Sequence, residues 1–143
     1  MANTRLMGGI IMRIAFGALL AVATLTPALA EDMQVELNAL ESTENRCRMT
    51  FVIENKGKAA VDSLKLDLVL FNTEGAVYRR MVVDMAPVRA AKTVVKAFVT
   101  EGECAQMSKV LVNEVTACTP GDAAACQDQL ALSSRVKSVR LYK

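Results

Sequence analysis

The chain has no histidine and no tryptophan, and only 4% of its 143 residues are aromatic. Without histidine, a hydrolase built on a histidine base is excluded, as is a zinc protease of the His-Glu-x-x-His type. General acid–base work would fall to Asp, Glu, Lys or Tyr. Proline (3) and glycine (7) are sparse, and no internal repeat or low-complexity linker interrupts the chain, so one domain is expected. An excess of one charge is missing too. Two of the 17 Lys and Arg, Arg5 and Arg13, lie in residues 1–30 beside no acid, and the other fifteen meet 15 Asp and Glu. A neutral body argues against non-specific attraction to nucleic acid or lipid. No glycine pattern has the spacing of a phosphate loop or a dinucleotide fingerprint, and Gly8-Gly9 is neither.

What is present begins with a leader. Arg5 and Arg13 precede an apolar run over residues 14–25, then Pro27, the small residues Ala28 and Ala30, and the acids Glu31 and Asp32. The run is too short to span a bilayer, which takes ~20 residues. A basic start, a short apolar segment and small-x-small before acids predict a secretory signal-peptide helix over residues 1–30, followed by one domain over residues 31–143. The two arginines are eight apart, so the general export route fits better than a twin-arginine route. No cysteine stands directly after the cleavage site, so a lipid anchor is not expected. Met1 and Met12 are both possible starts, because residues 12–30 form a complete signal. The expected location is periplasmic or secreted, with membrane contact only through the leader before cleavage.

Cys47, Cys104, Cys118 and Cys126 all lie in the exported part, where disulfides persist. Four cysteines allow three pairings. Cys118 and Cys126 flank a turn-rich stretch, Thr119 to Ala125, and closing it locally leaves Cys47 with Cys104. No Cys-x-x-Cys exists to support thiol redox chemistry. A zinc site of four thiolates is disfavoured where thiols oxidise.

Period-two alternation dominates the rest. Met33, Val35, Leu37 and Ala39 share one face of a first strand over residues 33–40, and Glu41 to Asn45 read as a polar turn. Cys47, Met49, Phe51 and Ile53 share the core face of a second strand, which places Cys47 at its start. Asn55-Lys56-Gly57-Lys58 reads as a turn with Gly57 at positive φ. Leu64, Leu66, Leu68 and Leu70 define a third strand, and Val69 and Phe71 suggest burial of its other face as well. Residues 77–85 form a fourth, ended or held at an edge by Pro87. Residues 93–100 form a fifth, with Val95/Val99 and Val94/Phe98 competing for the core face. Residues 109–116 form a sixth, and Leu130 to Tyr142 supplies one or two more. The cations Arg135, Lys137, Arg140 and Lys143 suit an edge. About seven short strands with Gly, Pro and Asn turns predict an all-β, antiparallel sandwich. In an up-and-down order, the start of strand two meets the end of strand five, so Cys47 reaches Cys104.

The segments Phe51 to Gly57 (with Glu54-Asn55-Lys56-Gly57), Leu66 to Phe71 and Thr73-Glu74-Gly75, continuing to Val83, resemble bacterial immunoglobulin-like domains of the FxLYD and CARDB-like kind. The resemblance implies an Ig-like sandwich serving adhesion or scaffolding. The whole chain is also similar to small exported proteins often labelled Tat-pathway signal proteins.

Candidate chemistry is thin. Glu101 and Glu103 flank Gly102, and Glu41 and Glu44 would lie at the same end, but a glycosidase needs two carboxylates facing across a cleft. Asp122 and Asp128 lack the alternating acidic array of a calcium loop. Met33, Met49, Met81, Met85 and Met107 sit at strand spacing that suits core filling rather than copper. Arg79-Arg80 and the basic C-terminal strand could meet an anionic partner. The expectation is therefore a non-enzymatic interaction or structural module of the cell envelope, with no catalytic, cofactor or metal residue. Its partner would be another envelope protein or a second copy, and not nucleic acid. The alternative is a periplasmic protein that binds a small ligand or metal ion.

Overall fold

The computed structural model describes residues 32–143, so the signal peptide expected over residues 1–30 lies outside the described residues. Eight strands and one short helix follow. They are β1 (Met33–Thr43), β2 (Arg46–Asn55), β3 (Ser63–Asn72), β4 (Val77–Asp84), β5 (Lys92–Glu101), β6 (Met107–Thr119), α1 (Ala123–Gln129), β7 (Ala131–Ser134) and β8 (Arg140–Tyr142). They build two four-stranded sheets, ordered β5-β2-β1-β7 and β4-β3-β6-β8. The predicted all-β sandwich is present, with eight strands rather than seven.

The alternation read from the sequence sets the layers. Val35, Leu37, Cys47, Met49, Phe51 and Ile53 of one sheet are buried against Leu64, Leu66, Leu68, Leu70, Val110, Val112 and Val115 of the other. β1 and β2 join through a two-residue turn in which Glu44 (φ 47°) and Asn45 (φ 61°) are both left-handed. That geometry matches the right-handed strand twist, and asparagine tolerates it. β1 thus runs through Glu41 to Thr43, and the turn is shorter than the predicted Glu41 to Asn45.

Four further expectations need correction. The sandwich is not wholly antiparallel, because β7 pairs parallel to β1 and β8 pairs parallel to β6. Both arise after β6, where the chain crosses between sheets instead of turning back in a hairpin. The stretch read only as a loop contains α1. Asp122 caps it, accepting from the N–H groups of Ala124 and Ala125, and the alanines after it are the best helix formers. Gly57 is needed for close approach rather than positive φ, since a Cβ there would sit 3.0 Å from Asp32 Oδ2 and 3.1 Å from Asn55 Oδ1. The outer face of β3 is only half covered at Val69 and Phe71, and its deeply buried member is Asp67.

Asn55 ties the first sheet to the β4–β5 connection. Its Nδ2 donates to the carbonyls of Ala59 (2.9 Å), Val88 (3.2 Å) and Arg89 (3.1 Å), while Oδ1 accepts from Gly57 N–H at 3.0 Å.

Candidate functional site

The cysteines pair as Cys47–Cys104 and Cys118–Cys126, with Cα separations of 4.8 and 6.5 Å. Cys47 lies opposite Thr100 in the β2–β5 ladder, so the expected meeting of strand ends occurs. Gly102 (φ +91°) turns the chain there, and a Cβ would fall 1.9 Å from Gln106 Nε2. Two bridges fit a chain that matures in oxidising surroundings. Among the described residues, no helix is long and apolar enough to cross a membrane.

The other candidate residues disperse. Glu41 pairs with Arg48 at 3.8 Å, and Glu101 pairs with Arg79. Asp122 caps α1, and the Asp128 carbonyl accepts from Lys143 Nζ at 2.6 Å. Glu44, in the β1–β2 turn, and Glu103, before Cys104, are exposed. The five methionines lie in or against the core, as their spacing suggested. Arg140 stacks on Tyr142 at 4.5 Å and Lys109 on Phe71 at 5.8 Å. Among the described residues, no group of three His, Cys, Asp or Glu could hold a metal ion.

Arg80 meets a carboxylate that sequence reading missed. Its Nε donates to Asp67 Oδ1 at 2.8 Å and its Nη2 to Oδ2 at 2.6 Å, and Asn113 Nδ2 donates to Oδ2 at 2.8 Å. The Asp67 side chain is 3% exposed while Arg80 is 63% exposed, so the guanidinium acts as a lid. Hydrogen bonding to Arg80 holds the Asp67 pKa below its usual value, against the opposing effect of burial. The Glu114 carboxylate acts on Arg80 as well, and the contacts of Asp67 with Arg80 and Asn113 clasp β3, β4 and β6 together.

The remaining candidate is a surface. Among the described residues, the four exposed large hydrophobics lie on two edge strands, Val77 (57%) and Val82 (60%) on β4, and Val95 (65%) and Val99 (54%) on β5. β4 and β5 flank the same side of the sandwich. A cleft of about 280 Å³ between them is lined by Arg79, Arg80, Met81, Val99, Thr100 and Glu101. Side chains bridge this side through Arg79–Glu101 and through Lys96 Nζ, which donates to the carbonyls of Asp84 (3.1 Å) and Ala86. On the opposite side β7 packs against β8.

The four edges differ. β7 has 4 residues and β8 has 3, too few to template a partner. β4 carries a bulge at the step from Leu70 to Phe71, with Arg79 and Arg80 beside it. β5 pairs with β2 over ten residues with no register shift. The middle of its solvent-facing side, Thr93, Val95, Ala97 and Val99, is uncharged, and the exposed charges Lys92 and Glu101 stand at its two ends. The phase ambiguity of this strand is resolved, with Val94 and Phe98 packed on the core and Val95 and Val99 outside.

The direction of the free backbone groups follows from the ladder. Gly102 N–H donates to the Asn45 carbonyl at 2.8 Å, continuing the register in which Arg46 faces Glu101. Hydrogen-bonded pairs alternate along antiparallel strands. The even-numbered residues of β5 therefore bond β2, and Thr93, Val95, Ala97, Val99 and Glu101 point N–H and C=O to the open edge.

Comparison with known proteins adds little to this geometry. No family model matches the chain, and no curated protein does. One solved structure, described as the X-ray structure of Northeast Structural Genomics Consortium target SoR45, aligns with TM-score 0.35 at 15% identity. The alignment covers 50% of this chain, which spans 65% of the length of that one.

Proposed function

We propose that this protein is an exported, non-enzymatic interaction module of the cell envelope, released from its residues 1–30 leader, and that β5 is its contact edge. The observation that carries the reading is the contrast between β5 and the other three edges. A long, regular, apolar edge with unused backbone donors and acceptors recruits a strand from a partner. Retaining it exposed is costly for a secreted protein unless something pairs with it. The two disulfides support export, since they hold the domain rigid where thiols oxidise.

Two measurements test this. The exported protein should have an intact mass beginning at Glu31 and no thiol free to alkylate, and retention of the leader would sink the export reading. In hydrogen exchange with its envelope partner bound, the amides of Val95, Ala97 and Val99 should gain protection. Protection confined to β7, β8 or α1 would move the contact elsewhere.

A further inference from the structure

We infer that the strand completing β5 is β5 of a second copy, paired antiparallel about a two-fold axis at Ala97. The inference rests on the reading of β5 as the contact edge and names its occupant. The five residues that point backbone groups outward run from 93 to 101 in steps of two, and their midpoint is Ala97. A dyad at Ala97 sets Ala97 against Ala97, Val95 against Val99 and Thr93 against Glu101. It is the one dyad that satisfies all five outward-facing residues of both copies.

Side chains agree with this register. Residues directly opposite in an antiparallel pair share a face. Val95 and Val99 of each copy then form a four-valine cluster on the outer face. Val52 and Thr50 extend it, because they lie beside Val95 and Ala97 in the β2–β5 ladder. Burying these valines removes from water two of the four large hydrophobic side chains exposed among the described residues.

Charges agree as well. Lys92 comes opposite Gly102 of the other copy, twice by symmetry, so it meets no like charge. Lys96 lies opposite Phe98, with its ammonium group drawn inward to the Asp84 and Ala86 carbonyls. A dyad one residue earlier would set Lys96 against Lys96, and like charges directly opposite are unfavourable. The product is one eight-stranded sheet through two sandwiches. It is a closed isologous dimer that leaves only short or charged edges.

The test is the mass of the purified, disulfide-intact protein by light scattering during size exclusion, at about 100 µM, where even a small-interface dimer is populated. Twice the monomer mass is expected. Ala97→Pro should give a monomer with an unchanged melting temperature, because the N–H it removes bonds nothing within the monomer. Should that variant fold poorly, two charge variants decide. Val95→Lys with Val99→Lys, and Val95→Glu with Val99→Glu, should each raise the dimer Kd at least about tenfold. An equimolar mixture of the two should recover the dimer. A wild-type protein that stays monomeric overturns the inference. It leaves the contact-edge reading intact if an envelope partner still protects Val95 and Val99 in hydrogen exchange. A dimer that survives all three variants overturns both.

Discussion

Asp67 shows how a single buried side chain fixes its surroundings. Its carboxylate is held by Arg80 and Asn113 between three strands. The fold lowers its pKa from the usual 3.8, chiefly through the Arg80 hydrogen bonds. The native state therefore binds fewer protons than the unfolded chain as acid is added. The stability this group contributes is complete above pH ~4 and is lost as pH falls below that value toward the lower folded pKa. Asp67→Asn should cost about 1–3 kcal/mol at neutral pH and should flatten the loss of stability below pH ~4. Urea titrations from pH 2 to 7 would measure both, and an unchanged acid slope would refute the account. Asn55 is the second such residue, buried and serving three carbonyls at once. Asn55→Ala leaves the Ala59 and Arg89 carbonyls and the Gly57 N–H without this partner, while the Val88 carbonyl keeps the Val61 N–H, and about 2–4 kcal/mol should be lost in the same titrations. The sequence marks Asn55 as a turn residue before Gly57, but its partners at Val88 and Arg89 lie more than thirty residues away. No local pattern could reveal them.

At the scale of elements, the bridges differ by the loop they close. Cys47–Cys104 spans 57 residues and joins the β2–β5 end to the start of β6, whereas Cys118–Cys126 spans 8 and fastens α1 to the end of β6. In the chain-entropy view, the first removes about 4 kcal/mol of unfolded-state freedom and the second about 2.5. Replacing Cys47 and Cys104 by alanine should therefore lower the melting temperature more than replacing Cys118 and Cys126, as calorimetry would show, and the reverse order would contradict it. The leucine and valine alternation made the strands and the bridge pairing legible, because period two places whole sets of side chains on one face. α1 does leave a signal, a capping Asp122 before three alanines, but Pro120 and Gly121 just ahead of it carry the stronger turn signal. The parallel pairing of β7 and β8 left none, because direction depends on how the chain crosses between sheets. Asp67 was hidden by its neighbours. A charged residue on an alternating strand normally faces water, and only the partners from β4 and β6 bury it.

For the molecule as a whole, the question is why one open edge does not lead to unlimited assembly. The two sides of the sandwich are managed differently. β7 and β8 close one side with strands too short to extend. On the other, β4 is blunted by its bulge and by Arg79 and Arg80, which leaves β5. Within β5 Lys96 is a half-buried cation on the inward face, opposite Phe51 of the core layer, and its ammonium group reaches the carbonyls of Asp84 and Ala86. An inward charge on an edge strand is tolerated where it can snorkel to polar atoms, and it penalises any register that would trap it. Lys96 thus selects among the ways β5 can pair more than it holds the monomer together. Lys96→Leu should shift the melting temperature by only a few degrees, since the half-buried site has room for an apolar side chain of similar length. Shifted registers, no longer penalised, should then appear as species larger than a dimer that grow with concentration in light scattering. If Lys96→Leu instead unfolds the domain, or leaves its size distribution as in the wild type, the lysine is a structural tie and the pairing of β5 is restricted by some other device.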